Sequence, residues 1–233
     1  MYQRFDLLAP VHKGLRHALG GLVFQAGALN ANDDGALQRF AEEFADIVDI
    51  LESHSCDEDA HVHHLYERFA PEAAAKLEAE HEGLEAELRE LQHLLDKTLR
   101  ASAPEERGPA WYILQRKLTK FTTEYFCHLE REEGEAAEAL WANLDDAQLK
   151  EVSVRIRSSI PPATMMIFLR YMLPALNFYE RYDMLSGMKR FAPPEAYRAV
   201  RELAEQRLRP EDWAELAKAL DAVEQEAYPP CPL

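Results

Sequence analysis

The chain has little of what several protein classes require. Its three cysteines, Cys56, Cys127 and Cys231, are odd in number, widely spaced and form no CxxC pair, so a disulfide framework is not expected. Basic residues are scarce: 26 lysines and arginines stand against 42 aspartates and glutamates, a formal net charge of -16. Nucleic acid and anionic membranes need a basic surface to displace their counterions, so neither is expected as a partner. Long apolar runs are missing too. The most apolar tract, MMIFLRYMLPALNFY (165–179), is interrupted by Arg170 and Pro174 and falls short of the ~18 apolar residues of a spanning helix. The opening MYQRFDLLAP has no basic segment followed by an apolar run, which argues against a secretory signal and for a cytoplasmic protein.

Period-two alternation is also lacking, and the few glycines and prolines cluster at a handful of points, so no sheet is expected. What is present is helical periodicity. Breaks at NANDDG (30–35), Pro71, SAPEERGP (102–109) and NLDD (143–146) mark off four long segments. Short loops between long helices imply antiparallel neighbours. The expected fold is therefore all-α: an antiparallel up-down four-helix bundle over residues 1–143, with a C-terminal helical appendage over 144–233. The appendage reads as short helices opened by proline, including Pro174 at the start of PALNFYERYDML, and offers a surface through which the chain could form a homo-oligomer.

Each long segment carries one apolar seam with steps of three and four residues. The first runs Leu8, His12, Leu15, Leu19, Leu22, Ala26, Leu29; the second Leu37, Phe40, Phe44, Ile47, Leu51, His54, Glu58, His61, Leu65. The third runs Ala74, Leu77, His81, Leu84, Leu88, Leu91, Leu95, and the fourth Leu114, Leu118, Phe121, Tyr125, His128, Glu132. Every seam is interrupted by histidine, and Glu85 follows His81 by one turn. At a rise of about 1.5 Å per residue, His12 lies about 17 residues before the end of its helix and His54 about 19 after the start of the next, so both stand at one height. Similar offsets across the other two loops bring His81, Glu85 and His128 to the same layer.

Imidazoles and carboxylates inside a bundle are very costly unless they are paired or hold a cation. The spacing HxxxE recurs in His54/Glu58, His81/Glu85 and His128/Glu132, and it stacks both donors on one face of a helix. The donor set His12, His54, Glu58, His81, Glu85, His128 and Glu132 suits iron, manganese or zinc. Seven donors are too many for one ion and suitable for two, with His81, Glu85 and His128 on one, His12 and His54 on the other, and Glu58 and Glu132 across both. Glu133 competes with Glu132 for its place. Cys56 and Cys127 are rotated away from the layer, His61 reads as a pocket neighbour rather than a ligand, and Tyr125 stands one turn before His128.

These stretches, His12 within HKGLRH, HSCDE (54–58), HEGLE (81–85) and HLEREE (128–133), resemble the hemerythrin-like, or HHE cation-binding, family of bacterial proteins over roughly residues 8–142. The tail stretch YMLPALNFYERYDML (171–185) is similar to an extension found in some bacterial members. The resemblance implies two iron ions, oxo- or hydroxo-bridged, and a protein that binds, reacts with or senses O2, peroxide or nitric oxide. The alternative is an iron-binding or redox-buffering protein without turnover. This sequence departs from the oxygen carriers, which have HxxxH in the third helix and HxxxxD in the fourth. A third carboxylate would favour ferric ions and make reversible oxygen carriage poor.

Overall fold

A computed structural model describes residues 4–101 and 103–222. No strand occurs among them. The helices are α1 (Ala9–Ala28), α2 (Asp34–His61), α3 (His63–Phe69), α4 (Pro71–Arg100), α5 (Pro104–Arg131), a π turn (Glu132–Ala136), α6 (Ala137–Asn143), α7 (Asp146–Ser159), α8 (Pro162–Ala175), α9 (Phe178–Phe191), α10 (Pro194–Arg207) and α11 (Pro210–Ala222). None is long and apolar enough to cross a membrane.

The breaks have local causes. Asp33 caps α2 by accepting a hydrogen bond from the Ala36 N–H at 2.9 Å. Pro71 and Pro104 open α4 and α5, where a missing N–H costs nothing. Asp145 with Gln148 and Asn177 with Glu180 form reciprocal capping boxes at the starts of α7 and α9. Pro174, expected to open a helix, instead lies in the last turn of α8, and Asn177 opens α9. The carbonyls left at that helix end are taken by the buried Arg181, whose Nε donates to Leu173 O at 2.7 Å and whose Nη2 donates to Pro174 O at 3.1 Å.

The chain forms two compact units, residues 18–160 and the described residues before 18 and after 160. In the smaller one, α8 to α11 enclose Leu169, Leu173, Leu185, Val200, Leu216 and Leu220. At Gly14 a Cβ would lie 2.6 Å from Met172 Cγ, so glycine is what lets α1 approach α8. The larger unit includes α7, which the sequence reading assigned to the appendage: Ser159 Oγ donates to Asp57 Oδ1 of α2 at 2.8 Å.

Within the larger unit, the remainder of α1 meets α2 through Gln25 Nε2, which donates to Glu43 Oε2 at 2.8 Å, and meets α5 through Gln115, which donates to the Ala26 carbonyl. Helices α4 and α5 run antiparallel, as their cross-helix pairs show: Glu90–Lys117 at 2.7 Å, Glu87–Lys120 at 2.5 Å and Glu80–Arg131 at 2.7 Å. The seams of α4 and α5 are buried as expected, from Ala74 to Leu95 and from Leu114 to Glu132, with only His81 partly exposed.

Two features depart from the expected seams. At Val62 the backbone leaves helical geometry (φ -119°), ending α2 and starting α3 in a new direction. Val62 and Tyr66 are therefore buried, where the unbroken seam would have placed His61 and Leu65, both of which are only half-buried. In the fourth segment, Gly134 takes ψ -112° inside the π turn that follows α5. Turns of this kind inside α-helices are frequent at functional sites, and the first residue of this one is Glu132.

Candidate metal centre

Three helices and the π turn carry polar groups into the core of the larger unit. Helix α2 presents His54 and, one turn on, Glu58; α4 presents His81; α5 presents His128; and the π turn begins with Glu132. His54, Glu58, His128 and Glu132 are at most 5% exposed. Their donor atoms converge in two overlapping sets. Glu58, His81, His128 and Glu132 each contribute an atom within 4.8 Å of all the others, and so do His54, Glu58 and Glu132. The two carboxylates belong to both sets.

The distances identify what the arrangement can hold. Glu58 turns Oε1 to His54 Nε2 at 3.4 Å and Oε2 to His81 Nε2 at 3.6 Å. Glu132 Oε1 stands 3.3 Å from His128 Nε2 and 3.9 Å from His81 Nε2. These separations are mostly too long for good hydrogen bonds. Ligand atoms about 2.0–2.2 Å from one cation lie roughly 3.0–4.2 Å from each other at angles of 90–180°, and the observed spacings fall in that range. His128 Nε2 is buried and makes no hydrogen bond. Mixed imidazole and carboxylate donors are those of a borderline metal ion, so the residues fit such an ion.

The electrostatics show how strongly two buried carboxylates act when no cation is bound. Burial alone would lower the pKa of His81, but the facing Glu58 carboxylate, followed by Glu132 and Asp59, outweighs it and raises the value to about 9. His128 is also raised, burial being overcome by Glu132, with Glu80 adding to the effect. Burial pushes the Tyr125 phenol well above its ordinary range, and Glu58 and Glu132 push it further. The phenol therefore keeps its proton.

A consequence for the metal-free protein follows from the His81 shift. Its pKa rises from 6.5 unfolded to about 9 folded, so its stabilisation is complete below pH 6.5 and disappears as pH climbs through 9. The linkage is worth about 3 kcal/mol at most. Chemical denaturation of the chelator-treated protein should show stability falling over that interval, and His81→Gln should flatten the slope.

The predicted donors are not all brought together. Glu85 is exposed, and its carboxylate faces Arg89 Nη1 at 3.4 Å. The reason is rotational: four residues on a helix overshoot a full turn by about 40°, and the α4 seam steps from His81 to Leu84 rather than to Glu85. Two carboxylates therefore converge instead of three, which removes the premise for an unusually ferric-favouring centre. Glu132 is 1% exposed, while Glu133 stays half-exposed. His12 is fully buried on α1, within the residues that cluster with the smaller unit. Cys56 and Cys127 are exposed, and His61 is half-buried outside both donor sets.

Beside the centre lies a pocket of about 260 Å³, lined by Leu51, Leu84, Leu88 and Phe121 and reaching His81 and Tyr125. Glu85 and Cys56 also line it. A group that sequence reading missed is Glu80, whose Oε2 is 3.0 Å from His128 Nδ1. Off the seam and among other acids, Glu80 looked like part of a solvated face, and only the packing of α4 on α5 reveals its partner.

No curated protein and no solved structure matches the chain. A family model described as the hemerythrin HHE cation binding domain matches residues 4–140, a span that contains every residue of the converging clusters and leaves α7 to α11 as a C-terminal helical extension. The chain belongs to the hemerythrin HHE cation-binding domain family.

Proposed function

We propose that the protein holds two iron ions and uses them to bind, react with or sense O2, peroxide or nitric oxide. The observation that carries the reading is Glu58, whose two oxygens face different histidines, His54 and His81, as a carboxylate spanning two ions would require. His54, Glu58, His81, His128 and Glu132 are the proposed ligands. His12 is proposed as a further one, because it shares its buried seam on the unbroken helix α1 with Leu15, Leu19 and Leu22. Manganese or zinc would suit the same donors less distinctively.

When bound, iron supplies one-electron chemistry and an open position for a small ligand. The chain supplies the rest. The apolar side chains Leu51, Leu84, Leu88 and Phe121 shape a route too poorly hydrated to favour charged species. Tyr125, held protonated by burial, is available to donate a hydrogen bond into that pocket. Glu85 and Arg89 line the same pocket, and as an exposed pair they are placed to select what enters rather than to coordinate metal.

The test is metal analysis of the purified protein together with its optical spectrum before and after air exposure, followed by stopped-flow mixing with O2, peroxide and nitric oxide. Two irons per chain and new near-ultraviolet ferric absorption on exposure are expected. One ion per chain, or iron whose spectrum ignores all three reagents, would overturn the reading.

A further inference from the structure

We propose that Glu80, held by Arg131, is the positioning residue that sets the orientation and basicity of His128 as a metal ligand, an inference that rests on the metal reading above. Glu80 lies on the α4 surface facing α5, with its side chain 25% exposed. One oxygen, Oε2, meets His128 Nδ1 at 3.0 Å, and the other, Oε1, accepts from Arg131 Nε at 2.7 Å. Arg131 is fixed in turn by its own helix, with Nη1 donating to the Cys127 carbonyl at 3.2 Å. The carboxylate is thus gripped at both oxygens.

The chemistry follows from what each atom can do. An ionised carboxylate only accepts, so the hydrogen on this contact belongs to His128 Nδ1. That leaves the lone pair on Nε2, the atom that points inward at Glu132 3.3 Å away. A carboxylate behind an imidazole also increases its electron donation to a bound cation. Arg131 moderates this by drawing charge from the same carboxylate and keeps it ionised at all ordinary pH values. The contact of the His81 and His128 rings, with centroids 4.6 Å apart, means that tilting one ring disturbs the other. Glu80 and Arg131 therefore act on the centre from the surface without touching it.

Cobalt(II) is a suitable probe, since its ligand field reports geometry and its paramagnetism shifts the ring N–H protons of bound histidines. Wild-type protein should bind cobalt and show a slowly exchanging, shifted Nδ1–H resonance that disappears in His128→Ala. Glu80→Ala should lose that slow exchange and weaken cobalt binding about ten- to a hundredfold. Glu80→Gln, which keeps an acceptor oxygen without the charge, should restore the resonance and part of the affinity. Arg131→Gln should keep the resonance and shift the ligand-field bands. Melting of the metal-free variants, read by circular dichroism, reports any general loss of folding. Unchanged cobalt affinity and unchanged N–H exchange in a folded Glu80→Ala protein would overturn the assignment while leaving the centre standing. A wild-type protein that takes up no cobalt overturns the metal reading and this inference with it.

Discussion

Replacing Glu58 with alanine should strip the protein of both ions. Its Oε1 faces His54 and its Oε2 faces His81, so a single truncation removes a donor from each of the two overlapping sets. Disturbing a group that only supports a ligand costs about 10–100-fold in affinity, and deleting a shared ligand should exceed that. Equilibrium dialysis with metal analysis should find less than one ion per chain where the parent holds two. Glu132→Ala should behave alike, because Glu132 Oε1 faces both His81 and His128. Glu133→Ala is the control: its side chain is half-exposed and outside the clusters, so its metal content should equal the parent's. A Glu58→Ala protein that retains two ions would remove Glu58 from the centre.

Metal loading should raise the melting temperature by about 8–16 °C. A cation that binds only the folded chain stabilises it by RT ln(1 + [L]/Kd), about 4 kcal/mol when free metal is a thousand times Kd. For a chain of this length each kcal/mol is worth roughly 2–4 °C. The physical source is local. Glu58 and Glu132 are almost wholly buried, and without a cation their charge is opposed chiefly by His81 and His128, whose raised pKa values record the strain of that substitution. Calorimetry of ferrous-loaded and chelator-treated protein under nitrogen should show the shift, increasing with the logarithm of free metal. The gain in hydrogen-exchange protection should concentrate in α2, α4, α5 and the π turn. Identical melting with and without metal would contradict the centre.

The pattern of what could be read in advance has a physical logic. His54, Glu58, His128 and Glu132 were legible because each sits on a three-and-four seam otherwise filled by Leu, Phe and Ile, and a polar group there must be buried with a reason. Glu85 was misplaced by the same reasoning. An i,i+4 spacing leaves a 40° ambiguity, and which side of it faces inward depends on whether the neighbouring helix packs over Leu84 or over Glu85. His61 and Leu65 failed in favour of Val62 and Tyr66 because a single non-helical residue resets the register of everything after it. Nothing in EREEGEAAE distinguishes Glu132 from Glu133; the fold resolves it by ending α5 at Arg131 and opening the π turn with Glu132 inward.

The sequence by itself determined the all-helical class, the four long segments, and the existence of a polar layer drawn from several of them, since periodicity and breakers act over a few residues and are written locally. Tertiary structure alone decided which carboxylates converge, which of two adjacent glutamates is inside, and that Glu80 stands behind His128. Those outcomes depend on the rotation and register of one helix against another, and such quantities are set by the packing of whole surfaces rather than by any short stretch of chain.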